Sequence, residues 1–450
     1  MPRLKVGDIA MDEMKAQTTG EAQGDAATPD QPHRPLATIG GGERIVSLDF
    51  IRGVAVLGIL AANIVAMSAP GVVMMWPLAA GDAPTGSDFW AWLGTLVVID
   101  GKMRGLFTLL FGAGLYLFMD RVWARGGTLA LQARRLAFLF AFGFLHFLFL
   151  FYGDILMLYA AWGMLAMVML RMGAKSQFFI GLSLYIAFGL LLTLFSLFPA
   201  LSELDPAGCA DSIGAETCAE MAAVGADVQA DAAAEQAVYG GGSYLDVVSY
   251  AVTEQIWFQI QALFMAGLSE TLPLMLMGMA ILRFGWFDGT GAAGKQLVLG
   301  LVAVALGMGG TAYLALWAAD SGHGFWISML SSSQALGHFT NLLSVLGLAA
   351  VLGALGASLS KGWLGSRFAA AGRVAFTNYI GTSFVMLFVM QGWAFGLYGE
   401  LSRTEMLGVV LAAWAVMLAW SKPWLDRYRY GPLEWLWRCL TYGRLFPLRR

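Results

Sequence analysis

The sequence is poor in charged residues. Asp, Glu, Lys and Arg make up 13% of its 450 residues, whereas 58% are apolar. Soluble globular domains carry about 25% charged residues, so the composition excludes an ordinary soluble protein. The formal net charge is −3 and no basic tract occurs, which argues against nucleic acid as a partner.

Cysteine is also scarce. The three cysteines include no Cys-x-x-Cys pair, which excludes a thiolate zinc site or an iron–sulfur cluster of the usual kind, and the sequence predicts no metal site. Cys209 and Cys218 lie in an acidic segment without Lys or Arg, residues 199–246, which we expect to be an outer loop. In an oxidising compartment they could close a disulfide, and the alternative is two unpaired thiols. Cys439 is predicted to be structural.

The first 43 residues lack aromatic side chains and any apolar period, a composition typical of disorder. Their basic start is not followed by the apolar segment of a signal peptide. We therefore expect residues 1–43 to form a disordered cytoplasmic tail and residues 44–450 to form a transmembrane domain.

Long apolar runs are abundant. They predict an all-α, polytopic transmembrane helix bundle with about ten spans. The predicted spans are residues 51–69, 88–119, 135–152, 155–170, 177–198, 255–283, 296–319, 335–357, 374–394 and 405–420. Lys and Arg cluster in alternate connections and in residues 421–450, so the positive-inside rule places both termini, including this C-terminal tail, in the cytoplasm.

The first span carries polar residues into the membrane. Asp49, Arg52 and Asn63 fall within an arc of roughly 60° on one helical face, with Asn63 about 16 Å further along the axis than Arg52. Polar groups at such depth usually face a bundle interior or an aqueous cavity. This face is therefore a candidate site.

The second span contains two cations between glycines. Lys102 and Arg104 stand between Gly101 and Gly105, where the helix can bend. They are candidate ligands for an anionic headgroup or a phosphate. The alternative is an anchor at the outer interface with snorkelling side chains.

The third and fourth spans form a hairpin that carries His146 and Asp154. His146 is predicted to lie near the midplane, where a histidine can exchange a proton near neutral pH. The alternatives are a buried neutral histidine and, for Asp154, a cap of the fourth helix.

Other polar residues recur on the later spans. Gln334, His338 and Asn341 make one polar stripe on the eighth span, and Asn378 lies at the start of the ninth. Such groups usually form hydrogen bonds between neighbouring helices. Their number favours a wet central cavity.

Several motifs together resemble the bacterial DUF418, or YeiB-like, family of membrane proteins, which implies a bacterial inner membrane location. The resemblance runs from about residue 44 to the C-terminus. The motifs are Arg44-x-x-Ser-Leu-Asp-x-x-Arg-Gly, Asn63, Leu-Phe-Thr-Leu-Leu-Phe-Gly-Ala-Gly, Gly-x-x-His-x6-Gly-Asp-Ile-Leu, Gly372-Arg-Val-Ala-Phe-Thr-Asn-Tyr, and Gly431-Pro-Leu-Glu-Trp-Leu-Trp-Arg-x-Leu-Thr-Tyr-Gly443.

The opening motif also resembles that of transmembrane acyltransferases such as heparan-α-glucosaminide N-acetyltransferase and the acyltransferase-3 proteins. The resemblance implies an enzyme that moves an acyl group from cytoplasmic acyl-CoA to a lipid or glycan acceptor, without a permanently bound cofactor. Asn63 matches the glucosaminide enzymes' Asn, but residues 69–88 hold no histidine to match their base. His146 or His338 would then replace it.

In this interpretation His146 is the base and Asn63 donates to the oxyanion. The residues expected to bind substrate or acyl-CoA are Asp49, Arg52, Lys102, Arg104, Asp154, His338, Asn341 and Asn378. The competing interpretations are a transporter or flippase of a small solute or lipid, and a non-catalytic membrane scaffold.

Overall fold

The structure is a computed structural model, and it describes residues 45–287 and 293–450. The predicted tail of residues 1–43 lies outside the described residues. Within the described ranges the chain is helical and forms no strand, apart from an isolated bridge between Tyr428 and Arg449. The predicted all-α class is confirmed.

The helices follow one another with short connections. In chain order they are α1 (Val46–Ser68), α2 (Gly86–Val98), α3 (Lys102–Trp123), α4 (Leu129–Phe149), α5 (Leu156–Val168), α6 (Ala174–Leu204), α7 (Pro206–Ile213), α8 (Ala215–Gly241), α9 (Tyr244–Tyr250), α10 (Ile256–Ala266), α11 (Leu272–Arg283), α12 (Ala293–Asp320), α13 (Phe325–Ser331), α14 (Leu336–Leu359), α15 (Trp363–Arg373), α16 (Ala375–Met390), α17 (Arg403–Arg427) and α18 (Pro432–Tyr442). Single π-helical turns, Ala251–Gln255 and Gly267–Thr271, join α9 to α10 and α10 to α11.

Eight helices or continuous helical stretches in the described ranges are long and apolar enough to cross a membrane. A ninth arises if α15 and α16, which meet at an angle of 82°, count as one span. The remaining predicted span, residues 155–170, corresponds to α5, which has 13 residues. A helix of that length falls short of the roughly 20 residues that cross a bilayer, so α5 does not qualify by length.

The second predicted span is broken where its charges lie. Helix α2 ends at Val98 and α3 begins at Lys102, with Gly101 between them at a φ of 73°. A left-handed backbone is open to glycine at no steric cost, so Gly101 permits the break. The predicted break is therefore present, and α2 and α3 still form one continuous stretch of 38 residues across it.

The acidic segment, residues 199–246, is helical rather than an irregular loop. Its middle part is rich in alanine, the best helix former, and Asp205 caps α7 by accepting from Gly208 N. A disulfide joins Cys209 to Cys218, one of the two alternatives that the sequence left open. Helix α8 packs against other segments, because Trp326 Nε1 donates to Met221 O at 2.9 Å.

Helix α1 is buried along most of its length and is crossed closely by α15. A Cβ on Gly53 would collide with Phe368 O, and a Cβ on Gly372 would collide with Asp49 O. Only glycine permits this approach of two backbones. Arg52 precedes Gly53, and Arg373 follows Gly372. The crossing therefore brings both arginines to one side of the bundle.

The bend between α15 and α16 is held from a distant part of the chain. Helix α16 begins without a local side-chain cap, and Glu434 of α18 accepts from Phe376 N at 2.8 Å and Thr377 N at 3.0 Å. Glu434 also accepts from Thr377 Oγ1 at 2.5 Å. A carboxylate stabilises a helix N-terminus by satisfying its free N–H groups and by complementing its dipole. The C-terminal motif therefore closes the start of α16.

Candidate functional site

Two cavities lie along successive parts of α1. The first, about 200 Å³, is lined by Arg52, Arg135 and Arg373, and we call it the arginine cavity. The second, about 100 Å³, is lined by Asn63, Arg104, Ser328 and Ser331–Ser333, and we call it the serine cavity. Ile59 and Ile155 line both cavities and therefore lie at their boundary. The single wet central cavity expected from the sequence is divided in two.

The arginine cavity owes its charge to three different helices. The Gly53–Gly372 crossing brings Arg52 and Arg373 to its wall, and Arg52 Nη1 lies 3.3 Å from Asp49 Oδ1. The guanidinium of Arg135 lies 4.5 Å from the ring centroid of Trp437 and 4.7 Å from that of Phe118. Aromatic faces hold a guanidinium without neutralising its charge.

One carboxylate, Glu434, lines the arginine cavity beside the three guanidinium groups. Its oxygens already accept hydrogen bonds at the start of α16. The lining therefore carries an excess of positive charge, which attracts anions into a cleft of low dielectric constant. Aliphatic and aromatic side chains such as Val56, Leu110 and Phe111 line the rest of the cavity.

His146 and Asp154 form a buried pair behind the arginine cavity. His146 Nδ1 lies 2.8 Å from Asp154 Oδ2, and Asp154 Oδ1 accepts from Met157 N at 2.7 Å. Asp154 thus has the capping role considered from the sequence, and it is also the partner of His146, which the sequence analysis did not predict. A Cβ on Gly143 would lie 2.7 Å from Asp154 Oδ1, so the glycine lets α4 and α5 approach closely enough for the pair to form.

The second nitrogen of His146 is unused. Nε2 is buried and has no hydrogen-bond partner in the described structure. The Tyr379 ring lies 5.0 Å from the His146 ring, between centroids, and Tyr379 lines the arginine cavity. His146 itself does not line that cavity, so Tyr379 separates the histidine from it.

No hydrogen bond joins Asn63 to His146 in the described structure. The Asn63 side chain makes no hydrogen bond within the described ranges, and it lines the serine cavity. It also lines a cleft of about 10 Å³ together with Tyr379. Tyr379 therefore neighbours both members of the predicted catalytic pair.

Arg104 enters the serine cavity, although Lys102 does not. The Arg104 guanidinium forms an ion pair with Glu270, which lies in the π-helical turn Gly267–Thr271. Lys102 is 0% exposed, and its Nζ donates to Leu96 O at 2.8 Å. Lys102 thus lines neither cavity and donates to a carbonyl near the end of α2, and its role as an anion ligand stays a prediction.

Two of three further predicted site residues, His338 and Asn378, hold helices together. His338 Nε2 lies 3.1 Å from Tyr185 O, and the two rings stack with centroids 3.7 Å apart. Asn378 Nδ2 donates to Ala371 O and its Oδ1 accepts from Trp420 Nε1 at 3.0 Å. Asn341 is buried, and its amide packs where a Cβ of Gly101 would lie. These residues line neither cavity, and their assignment to substrate stays a prediction.

Sequence reasoning missed several residues that the structure places at the cavities. Tyr379 and Glu434 belong to motifs already recognised, but the side chains that they meet are far away along the chain. The run Ser331-Ser332-Ser333 is a visible signal, because three consecutive hydroxyl groups interrupt an otherwise apolar stretch. No group of three or more His, Cys, Asp or Glu side chains in the described ranges is arranged to hold a metal ion.

Comparison with known proteins gives a family and relatives. The family model described as "Protein of unknown function (DUF418)" matches residues 281–444. The chain is 31% identical over 410 residues to the uncharacterized protein YeiB of Escherichia coli (strain K12), which covers 90% of this chain and 98% of that protein. It is 27% identical over 430 residues to the uncharacterized protein YxaH of Bacillus subtilis (strain 168), with 91% and 96% covered. No solved structure matches the chain.

Proposed function

The chain belongs to the DUF418 family, and we propose that it is an acyltransferase-like enzyme of the bacterial inner membrane. It moves an acyl group from cytoplasmic acyl-CoA to an acceptor at or across the membrane. The observation that carries this proposal is the His146–Asp154 pair, with an unused Nε2, beside an arginine-lined cavity.

The pair has the arrangement that a general base needs. Asp154 accepts from His146 Nδ1–H and so fixes the tautomer in which Nε2 carries a lone pair. Nε2 takes the proton of an acceptor hydroxyl or amine as the acceptor attacks the thioester carbonyl. The carbon–sulfur bond then breaks, and the leaving thiolate takes that proton from the imidazolium, so an ester or amide and free CoA result.

Asn63 and Tyr379 complete this proposal. Asn63 donates a hydrogen bond to the oxyanion that develops on the carbonyl, since its amide has no other partner in the described structure. The Tyr379 ring turns aside to admit substrate to His146, because it lies between the histidine and the arginine cavity. The arginine cavity receives phosphate groups of the donor.

The test is thiol release from acetyl-CoA and palmitoyl-CoA by the purified full-length protein in lipid nanodiscs. His146→Gln keeps a hydrogen-bonding group but cannot titrate, so turnover should fall by about two to four orders of magnitude. His338→Gln is the matched control, because it changes another buried histidine that lines neither cavity. Thermal melting checks that both variants fold.

Two results would contradict the proposal. Full thiol release by His146→Gln would remove this residue as the base. A folded wild-type protein that neither binds nor cleaves either acyl-CoA would remove acyl transfer.

A transporter or flippase is the second candidate, and the boundary between the cavities favours it. Ile59 and Ile155 separate two cavities that open along successive parts of α1. A solute could pass if these side chains moved. Proteoliposomes with the wild-type protein would take up a small solute if it is a transporter, and Ile59→Trp should block this uptake. Such uptake, without acyl-CoA cleavage by the wild type, would support transport instead.

The orientation belongs to the same proposal. In this proposal α5 crosses the membrane as a tenth span together with the residues that flank it, so both termini lie in the cytoplasm. Reporter fusions after Arg171 and after Arg450 should then report cytoplasm, and a fusion between Cys209 and Cys218 should report the outside. The opposite pattern would reverse the side from which the arginine cavity is filled, and a mixed pattern would overturn the span count.

A further inference from the structure

Unpaired polar atoms gather at the serine cavity. Asp100 Oδ1, His323 Nδ1 and Ser328 Oγ are buried and have no hydrogen-bond partner in the described structure, and all three residues line this cavity. Ser328 is 2% exposed and His323 is 4% exposed. A buried polar atom without a partner costs about 1–3 kcal/mol, so three at one cavity indicate a place where partners bind.

His323 is held at this cavity in a conformation that side chains rarely adopt. Its φ is 53°, the one positive φ of a non-glycine residue in the described ranges. Trp76 Nε1 donates to His323 O at 2.7 Å, and the His323 ring packs edge-on against Trp92 with centroids 5.2 Å apart. Such backbone strain persists only where surrounding contacts impose it, and here they fix the imidazole at the cavity wall.

The lining is close to electrically neutral and is rich in groups that donate and accept. It carries one guanidinium, Arg104, which is paired with Glu270, and one carboxylate, Asp100, whose charge is offset by the nearby cation of Lys102. Ser328 and Ser331–Ser333 add hydroxyl groups, Asn63 adds an amide, and Trp92 adds an aromatic surface. This chemistry matches hydroxyl groups, each of which both donates and accepts, better than it matches a phosphate or an ammonium ion.

We propose that the serine cavity binds a neutral molecule that carries several hydroxyl groups. The volume of about 100 Å³ accommodates a molecule such as glycerol or one edge of a sugar ring. Asp100 accepts from one hydroxyl, Ser328 and His323 complete further hydrogen bonds, and Trp92 packs on the carbon skeleton. That this molecule is the acyl acceptor rests on the proposed function, whereas its binding does not.

The experiment measures binding without any acyl donor, so its failure is distinct from a failure of acyl transfer. The full-length protein is placed in phosphatidylcholine nanodiscs, because detergents with sugar headgroups would compete. Saturation-transfer NMR is recorded with glycerol and glucose, and with glucose 6-phosphate as the anionic comparison. We expect transfer to glycerol and glucose that exceeds transfer to glucose 6-phosphate.

Two variants and one control locate the binding. Ser333→Phe places a ring in the cavity from a half-buried position, and Ser328→Ala removes one unpaired hydroxyl. Each should reduce the transfer signal at least several-fold, with a wild-type melting temperature. Ser212→Ala alters an exposed serine of α7 and should leave the signal unchanged.

Three outcomes would overturn the proposal. No transfer to glycerol or glucose in the folded wild-type protein would mean that the cavity holds water only. An equal signal in folded Ser333→Phe would place the binding elsewhere. Stronger transfer to glucose 6-phosphate that Ser333→Phe abolishes would make the ligand an anion.

Discussion

The two cavities share helix α1 but differ in charge. The arginine cavity is lined by three guanidinium groups and one carboxylate, whereas the serine cavity is lined by one of each and by several hydroxyl groups. Arg52 and Asn63 lie on one face of α1, about 16 Å apart along its axis. A single helix thus lines a cationic cavity at one depth and a polar, nearly neutral cavity at another.

The cavities also differ in how their polar groups are used. Glu434 accepts three hydrogen bonds at the start of α16, so the one carboxylate of the arginine cavity is a structural group. At the serine cavity, buried atoms of Asp100, His323 and Ser328 have no partner in the described structure. The arginine cavity therefore keeps an excess of positive charge, whereas the serine cavity has polar atoms that can form further hydrogen bonds.

The largest expected difference in turnover is between variants of His146, which lies behind the arginine cavity, and of His323, which lines the serine cavity. His146→Gln should lower the turnover of acyl-CoA cleavage by about two to four orders of magnitude. His323→Asn, a residue that tolerates a positive φ, should leave that turnover near the wild-type value and raise the KM for glycerol as acceptor. Steady-state kinetics of both variants measure the difference, and equal losses of turnover would erase the distinction between the cavities.

The next effect concerns anion affinity. Arg135→Gln removes one guanidinium from the arginine cavity, and a hydrogen bond to a charged group contributes about 1.5–3 kcal/mol, so acyl-CoA affinity should fall about 10- to 100-fold. Calorimetry at two salt concentrations should also show that acyl-CoA affinity depends less on salt in this variant than in the wild type. Arg427→Gln, at an exposed position, is the matched control. An equal loss with Arg104→Gln would mean that the serine cavity binds the anion too.

A smaller effect concerns the wall of the arginine cavity. Glu434→Gln keeps an acceptor for the N–H groups of α16 but loses the charge that complements the helix dipole, so unfolding should become easier by about 1 kcal/mol. Thermal melting should show a decrease of a few degrees at most. Glu405→Gln is the control, because it changes an exposed capping carboxylate on a different helix, α17. An unchanged melting temperature in Glu434→Gln alone would show that the contact contributes nothing.

The smallest expected effect is a pH dependence of the protein's stability, which arises at Glu235 of α8. Helix α8 packs against Trp76 and Phe325 around Gly225, and burial raises the pKa of its Glu235. The folded protein therefore binds a proton at Glu235 more readily than the unfolded chain does. This contribution to stability is present at low pH and is lost as pH rises from the ordinary pKa through the raised one.

Melting temperatures measured across that pH window test the Glu235 effect. Glu235→Gln resembles the protonated acid and keeps an acceptor for Tyr398 OH and Gly71 N. Its melting temperature should depend less on pH than that of the wild type. Parallel curves for the two proteins would exclude Glu235 as the source.

Much of the bundle was predictable because its signals are local. The apolar runs placed the spans, and Gly101 marked the break between α2 and α3. The position of Asp154 at the start of the fourth span indicated a helix cap, and Asp154 Oδ1 accepts from Met157 N. In these cases the residues that decide the structure are close together in the sequence.

The rest depended on contacts between distant residues. The cap on α16 joins Phe376 and Thr377 to Glu434, and no local pattern reveals such a partner. The same holds for His338, whose ring stacks on that of Tyr185, a residue far from it in the sequence. Helix α8 is a different case, because its alanine content was visible but its acidic residues suggested a loop.

The position of Glu434 has a consequence for biosynthesis. Helix α18 follows the candidate membrane spans along the chain, yet it supplies Glu434 and Trp437 to the arginine cavity. A nascent protein whose spans have all entered the bilayer therefore still lacks one wall of this cavity. The arginine cavity is therefore complete only after the ribosome has released α18, and proteolysis between α17 and α18 would separate this wall from the rest of the chain.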